Sequence, residues 1–241
     1  MKIITQWFKD NWMHLNIGKC NYIIYAYKTP TWANDLEIKI NDIKIERVTA
    51  VKYLGLILDE KLTWRNNSEY IQTKLRKQNF LFYHLKNYFN ITHLKRIYKP
   101  LYEASFTYGI IHWGASKHIK PIKVLQNKVC RTILNSNNKA SESEIYPMMG
   151  VMGLEEIYKT RLLMFVFKNK GLFQLHDTAH MATRSGNSLV PTYPHLKKFH
   201  SRLQARYRGY ELFRALPESI RGEKRLGIYK REIAKIIQSL K

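Results

Sequence analysis

Nucleotidyl transfer through two metal ions needs carboxylates held close enough to bind both ions, which sit roughly 3.5–4 Å apart. The sequence contains no Asp-Asp pair. Asp10, Asp35, Glu37, Asp42 and Glu46 are scattered through its first part. Asp59 and Glu60 are adjacent, but neighbours on a strand point to opposite faces. Between residues 61 and 135 the acids are Glu69 and Glu103 alone. His176 and His180 have the i,i+4 spacing of a metal-binding helix. No Glu stands beside His176 in the H-E-x-x-H sense, and no cysteine lies near, so two core or surface histidines are expected rather than a metal site. A G-x-S-x-G elbow and a phosphate-cradling P-loop are both missing. The residue types point away from catalysis, metal and cofactor, and toward binding.

Charge indicates what is bound. Lys and Arg number 41 against 18 acids, a net of +23. Residues 1–60 hold 8 basic and 7 acidic residues; residues 61–135 hold 14 and 2. Residues 136–196 hold 6 and 5; residues 197–241 hold 13 and 4. Two blocks therefore carry nearly all the excess. Condensing like charge costs self-repulsion, which a polyanion relieves, and nucleic acid is the commonest polyanion.

The 241 residues are 45% hydrophobic and 13% aromatic, enough to pack one large or two modest domains and poor material for a solvated tail. Cys20 and Cys130 give neither a disulfide framework nor a zinc set. There is no apolar run of signal-peptide or membrane-spanning length. A soluble intracellular protein of the nucleus or cytoplasm is expected, with no membrane partner and no small-molecule substrate.

These binding residues need elements to position them. Ile4, Trp7, Phe8, Trp12 and Leu15 predict an amphipathic helix over 3–15, stopped by Asn16 and Gly18. Tyr22 to Tyr27 reads as a strand. Leu36, Ile38 and Ile40 alternate, as do Ile43 and Ile45, and Asn41-Asp42 lies between them, which predicts a hairpin. Val51 to Glu60 reads as a third strand, in which Gly55 marks a bend or a close backbone approach. From Asn67 to Phe89 the period becomes helical, with Ile71, Leu75, Gln78, Phe82, Leu85 and Phe89 on one stripe. The opposite face carries Arg76, Lys77, Phe80, Tyr83 and His84. Aromatics among basic residues can stack on bases or ribose, or they can pack on another helix.

Thr92 is placed to cap a second helix bearing Leu94, Ile97, Tyr98, Leu101 and Ser105, which Pro100 should kink or break. A third helix carries Ile119, Ile122, Leu125, Val129 and Ile133. Asn135 to Glu144 reads as a linker, 153–175 as a helix, 176–200 as irregular, and Leu226 to Leu240 as the last helix.

A series of segments carries a family resemblance. YLGLILDEKLTW (Tyr53 to Trp64) is similar to the YLG-x-x-x-D-x-x-L-x-W segment of non-LTR (LINE-type) retrotransposon reverse transcriptases. Upstream, LNIGKCNYIIY (Leu15 to Tyr25) resembles their LN-x-x-KT segment. TYGIIHWGAS (Thr107 to Ser116) and VLQNKVCRTIL (Val124 to Leu134) resemble YG-x-x-x-WG and Q-x-x-x-x-R-x-I. NSLVP, then QARYRGYELFRALPESIR (Gln204 to Arg221), resembles Q-x-x-x-Y-R-G-x-x-x-W-N-x-LP-x-x-I-R. LGIYKREIAKII resembles the closing F-K-x-x-L-K. The landmarks keep family order over nearly the whole chain and resemble those of jockey-like or related insect-type elements.

The resemblance implies an α+β architecture: a small antiparallel remnant of the palm sheet, then a mainly helical thumb and C-terminal region. Residues 1–62 would be the end of the palm, 63–135 the helical thumb along the template–primer duplex, and 136–241 a basic helical region. Tyr53, Leu54 and Gly55 would correspond to the primer grip. Lys19 would match a lysine that assists pyrophosphate departure in the intact enzyme. Lys74, Arg76, Lys77, Lys95, Arg96, Arg206 and Arg208 are the candidate contacts to an RNA–DNA or other duplex. The catalytic Asp-Asp motif and its Mg²⁺ would belong to the missing N-terminal polymerase half of the parent protein, leaving this chain without activity of its own. Cys20 in place of Thr, Pro100 in a thumb-like helix, Phe213-Arg214 before Leu216-Pro217, and the lack of a zinc knuckle depart from the pattern. The alternative is a recruited or degenerate helical protein that binds RNA, DNA or a protein without catalysis.

Overall fold

The computed structural model describes residues 2–26, 28, 30–136, 140–172 and 205–239. It divides into two compact units, Met1–Tyr70 and Ile71–Lys241.

The first unit opens with helix α1 (Lys2–Asp10). It ends earlier than the predicted 3–15, because the Asn11 side chain donates to Trp7 O at 2.8 Å and Trp12 turns left-handed at φ 56°. Three two-stranded sheets follow. Strand β1 (Asn21–Tyr22) pairs in parallel with β4 (Glu46–Arg47). The strand expected over Tyr22 to Tyr27 is thus confined to its first residue and Asn21, and 23–26 are irregular. Strands β2 (Lys39–Ile40) and β3 (Ile43–Lys44) form the expected hairpin. Asn41 at φ 47° and Asp42 at φ 66° both sit left-handed, as a two-residue turn matching strand twist requires.

The single strand expected over Val51 to Glu60 is instead a second hairpin. Strand β5 (Ala50–Tyr53) runs antiparallel to β6 (Leu56–Asp59), and Leu54-Gly55 is the turn, with φ 45° and 84°. The bend that Gly55 signalled is real, and it is a full reversal. The small antiparallel sheet expected is therefore three separate pairs, one of them parallel. Beyond β6, the buried Asp59 accepts hydrogen bonds from Lys61 N, Thr63 N and Trp64 N at 3.2, 2.9 and 2.9 Å. They hold the path on which Leu62 and Trp64 take left-handed φ of 50° and 65°, a conformation disfavoured for both.

Helix α2 (Arg65–Leu85) crosses the division between the units. Asn67 ties its start to β6 by accepting from Ile57 N at 3.1 Å. In the second unit, Ile71, Leu75 and Phe82 are buried on the expected stripe, whereas Phe89 lies beyond the helix and is exposed. Gln78 donates to Leu101 O at 2.8 Å and Ser105 Oγ at 2.9 Å.

Helix α3 (Ile91–Ile97) is capped by Asn90, not Thr92: Asn90 Oδ1 accepts from His93 N at 3.1 Å. The predicted kink is a π-helical turn, Tyr98–Glu103, that continues into α4 (Ala104–Thr107). Pro100 has no N–H and its ring crowds an α-turn, which the wider turn relieves.

The short helix α5 (Ile110–Trp113) starts after Gly109, at φ 61°. Trp113 is buried and its indole N–H donates to Tyr108 O at 3.0 Å. A side chain on Gly114 would meet the Tyr158 ring at 2.4 Å. The Tyr-Gly and Trp-Gly of the resemblance thus close one tight turn.

Helix α6 (Lys120–Leu134) fulfils the third expected helix, but its buried stripe runs through Ile122, Gln126, Val129, Cys130 and Ile133, while Leu125 is half-buried. Within the expected linker, helix α7 (Glu142–Met149) begins at a capping box in which Ser141 N donates to Glu144 at 2.7 Å. Helix α8 (Leu154–Lys168) carries the core of the C-terminal part. Leu163 and Val166 pack with Tyr210 and Phe213 of α9 (Ala205–Arg214), with Leu216, and with Tyr229, Ile233 and Ile237 of α11 (Leu226–Ser239). The one-turn α10 (Glu218–Arg221) follows Pro217. Gly209 allows α9 to approach α8, since a Cβ there would lie 2.9 Å from Val166. Among the described residues no helix is long and apolar enough to cross a membrane.

Candidate nucleic-acid interface

In the first unit the candidate surface is the tip of the β5–β6 hairpin. Tyr53 is 61% and Leu54 73% exposed. Leu54 pairs an exposed apolar side chain with a left-handed backbone, where Asn would be cheaper. That cost is borne by the YLG triplet of the resemblance. Lys19 is exposed at the end of a 3₁₀ turn, Ile17–Lys19.

In the second unit the candidate surface is a face of α2. Lys74, Arg76, Lys77, Phe80, Tyr83 and His84 are all exposed. At 3.6 residues per turn they span roughly half the circumference, opposite the buried stripe. Phe80 is 67% and Tyr83 56% exposed, so the aromatics do not pack on another described helix. Arg76 donates to Gln72 at 3.1 Å; Lys74 and Lys77 have no ion-pair or hydrogen-bond partner among the described residues.

The remaining candidates are dispersed. Lys95 is half-buried and donates to Met148 O at 2.5 Å, at the C-terminal end of α7, where a cation is favoured. Arg96 is exposed on α3. On α9, Arg206 is half-buried and Arg208 lies 3.5 Å from Glu211. His176, His180 and the expected irregular 176–200 segment lie outside the described residues, as does NSLVP.

The carboxylates described do not fit a two-ion site. Asp59 has its oxygens turned to backbone N–H groups, and Glu60 lies 3.7 Å from Arg47. Lys44 at 2.7 Å and Lys39 at 3.3 Å hold the Glu37 carboxyl below its usual range. Glu103 is shifted the other way: burial raises it, and Lys99 and Arg161 offset this only in part. Among the described residues no three His, Cys, Asp or Glu side chains gather where they could hold a metal. Burial pushes the Cys130 thiol up to about 12, so it stays protonated and inert. A cleft of about 410 Å³ beside α5 is lined by His112 and Arg161 and by no carboxylate.

Gln126 is the residue whose part the sequence reading missed. It lies fully buried and joins Tyr98, Tyr146, Met152 and Leu154. Its signal was a polar residue at core spacing between Ile122 and Val129.

Three known proteins are similar to part of the chain. A probable RNA-directed DNA polymerase from transposon X-element of Drosophila melanogaster is 29% identical over 134 residues, 54% of this chain and 14% of that protein. The RNA-directed DNA polymerase from mobile element jockey of the same fly is 30% identical over 135 residues, 53% and 14% of the two chains. Its counterpart in Drosophila funebris is 30% identical over 125 residues, 49% and 13%. The matched region thus spans about 14% of the length of the first two relatives. No protein-family model matches, and no solved structure does. Over about half its length, this chain is related to the jockey and X-element RNA-directed DNA polymerases of non-LTR retrotransposons.

Proposed function

We propose that this chain is the part of a retrotransposon RNA-directed DNA polymerase that holds the template–primer and does not itself supply the catalytic carboxylates. The observation that carries the reading is the exposed basic face of α2, on which Lys74 and Lys77 have no ion-pair or hydrogen-bond partner among the described residues. It lies in the most basic block of a +23 chain and in the segment the resemblance assigns to the thumb. The exposed Tyr53-Leu54-Gly55 turn supports the reading from the other unit, as the primer-grip counterpart. Polymerisation, and the Mg²⁺ it uses, would depend on acidic residues outside this chain.

Binding of this kind is to phosphates, tolerant of sequence and steeply salt-dependent. Titration against an RNA–DNA hybrid between about 50 and 200 mM salt should lose orders of magnitude in affinity. A flat response would refute the reading. Primer extension with Mg²⁺ should give no product from this chain alone. The alternative, a helical protein that binds another protein, would show as a pulldown that survives nuclease.

A further inference from the structure

Phe80 and Tyr83 stand in water in the middle of the basic face of α2. Their rings are braced. The His84 ring lies edge-on to Phe80 at 4.4 Å and to Tyr83 at 5.6 Å. Lys86 Nζ sits 5.0 Å from the centre of the Tyr83 ring. Rings already positioned lose little rotamer freedom when something lands on them. The segment from Tyr70 to Asn90 contains no acidic residue, so whatever covers this face must bring negative charge.

We infer that this face takes nucleic acid with unpaired bases: bases of a single strand stack on Phe80 and Tyr83 while Lys74 and Lys77 meet the phosphates. The inference rests on the nucleic-acid reading above and specifies the form bound. A closed duplex turns phosphates outward and hides its base faces in the stack. Only base edges remain accessible, and Phe80 has no group that could hydrogen-bond to one. An exposed phenyl ring therefore gains little from a duplex. An unpaired base offers both ring faces, and stacking on an aromatic side chain is worth roughly five- to 150-fold in affinity per base. The spacing also suits: three residues of helix advance roughly 4.5 Å along the axis, near the step between successive bases. A protein partner would have to supply acids and flat apolar groups in alternation, which a single strand does along its whole length.

The test uses the full chain and three probes of equal length: a single-stranded RNA, an abasic strand that keeps the charge and lacks the bases, and a blunt RNA–DNA hybrid. The single strand should bind at least about tenfold more tightly than the abasic strand. Phe80→Ala with Tyr83→Ala should lower single-strand binding to the level of the abasic strand. Both side chains are exposed, so an unchanged melting curve verifies that the variant is folded. Lys74→Gln with Lys77→Gln should weaken all three probes alike. Equal affinity of wild type for base-bearing and abasic strands would overturn the inference and leave the salt-dependent reading standing. Failure to bind any probe, with self-association or a protein covering the face, would overturn both.

Discussion

Gln126 Oε1 accepts a hydrogen bond from Leu154 N at 2.9 Å, joining the middle of α6 to the first residue of α8. The same amide donates to Tyr98 OH at 3.0 Å and Met152 O at 2.9 Å; the Tyr146 hydroxyl lies 3.4 Å from its oxygen and gives its proton to the nearer Asn127 Oδ1. Both amide protons and the oxygen of the side chain are used, in a place without water access. The Gln of the Q-x-x-x-x-R-x-I segment is therefore architectural. So is Arg131, which donates to Ala140 O at 3.1 and 2.8 Å through two nitrogens.

Gln126→Ala leaves a buried backbone N–H, a carbonyl and the Tyr98 phenol short of a partner. The expected cost is about 3 kcal/mol, well above that of a surface change. Urea unfolding checks it: the midpoint should fall while the slope stays the same. A loss below about 0.5 kcal/mol would mean the network rearranges without penalty.

Glycines near the motifs divide by what surrounds them. A Cβ on Gly114 would stand 2.4 Å from the Tyr158 ring and 2.6 Å from Ile110 O, so Gly114→Ala must push backbone as well as a ring. About 1–3 kcal/mol of destabilisation is expected. Gly227, inside α11, has nothing within 4 Å, and Gly227→Ala should stabilise by about 0.5–1 kcal/mol through helix propensity. Thermal melts of the two variants should move in opposite directions.

These residues also show what the sequence could and could not reveal. Asn41-Asp42 announced its turn because both residues tolerate left-handed backbone, and the structure has that turn. Leu54-Gly55 makes the same turn inside an unbroken apolar run, and a Leu at a left-handed position gives no signal. Helix stripes were legible wherever apolar spacing held, as for Ile71, Leu75 and Phe82. They misled at α6, where the core position is Gln126 rather than Leu125, because a buried amide is recognised only once its partners are known. The basic, aromatic face of α2 was legible as composition. Whether it lay in water depended on which helices reached it, which is tertiary information.

Glu103 gives a pH prediction. Burial raises its carboxyl in the folded chain, so the folded state holds the proton more tightly than the unfolded state. The sign follows: this group's contribution is most favourable below its unfolded pKa and is lost as pH rises through the folded pKa. Glu103→Gln should therefore stabilise the protein at neutral pH, leave it nearly unchanged in acid, and flatten the decline between. Unfolding curves across pH 4 to 7 would show this. Destabilisation at neutral pH that fades in acid would mean that Lys99 and Arg161 outweigh burial.

Leu54 sets stability against contact. Its φ of 45° in a two-residue turn before Gly55 is a position where Asn is preferred, so Leu54→Asn should raise stability by about 0.5–1 kcal/mol. The side chain is 73% exposed, so it is open to a contact from outside the fold. If the tip touches the primer end, the same variant should bind an RNA–DNA hybrid more weakly although it melts higher. Improved stability with unchanged affinity would remove the hairpin tip from the interface and leave α2 as its remaining support. Reduced stability would show instead that Leu54 packs against something and that its exposure is not what holds it there.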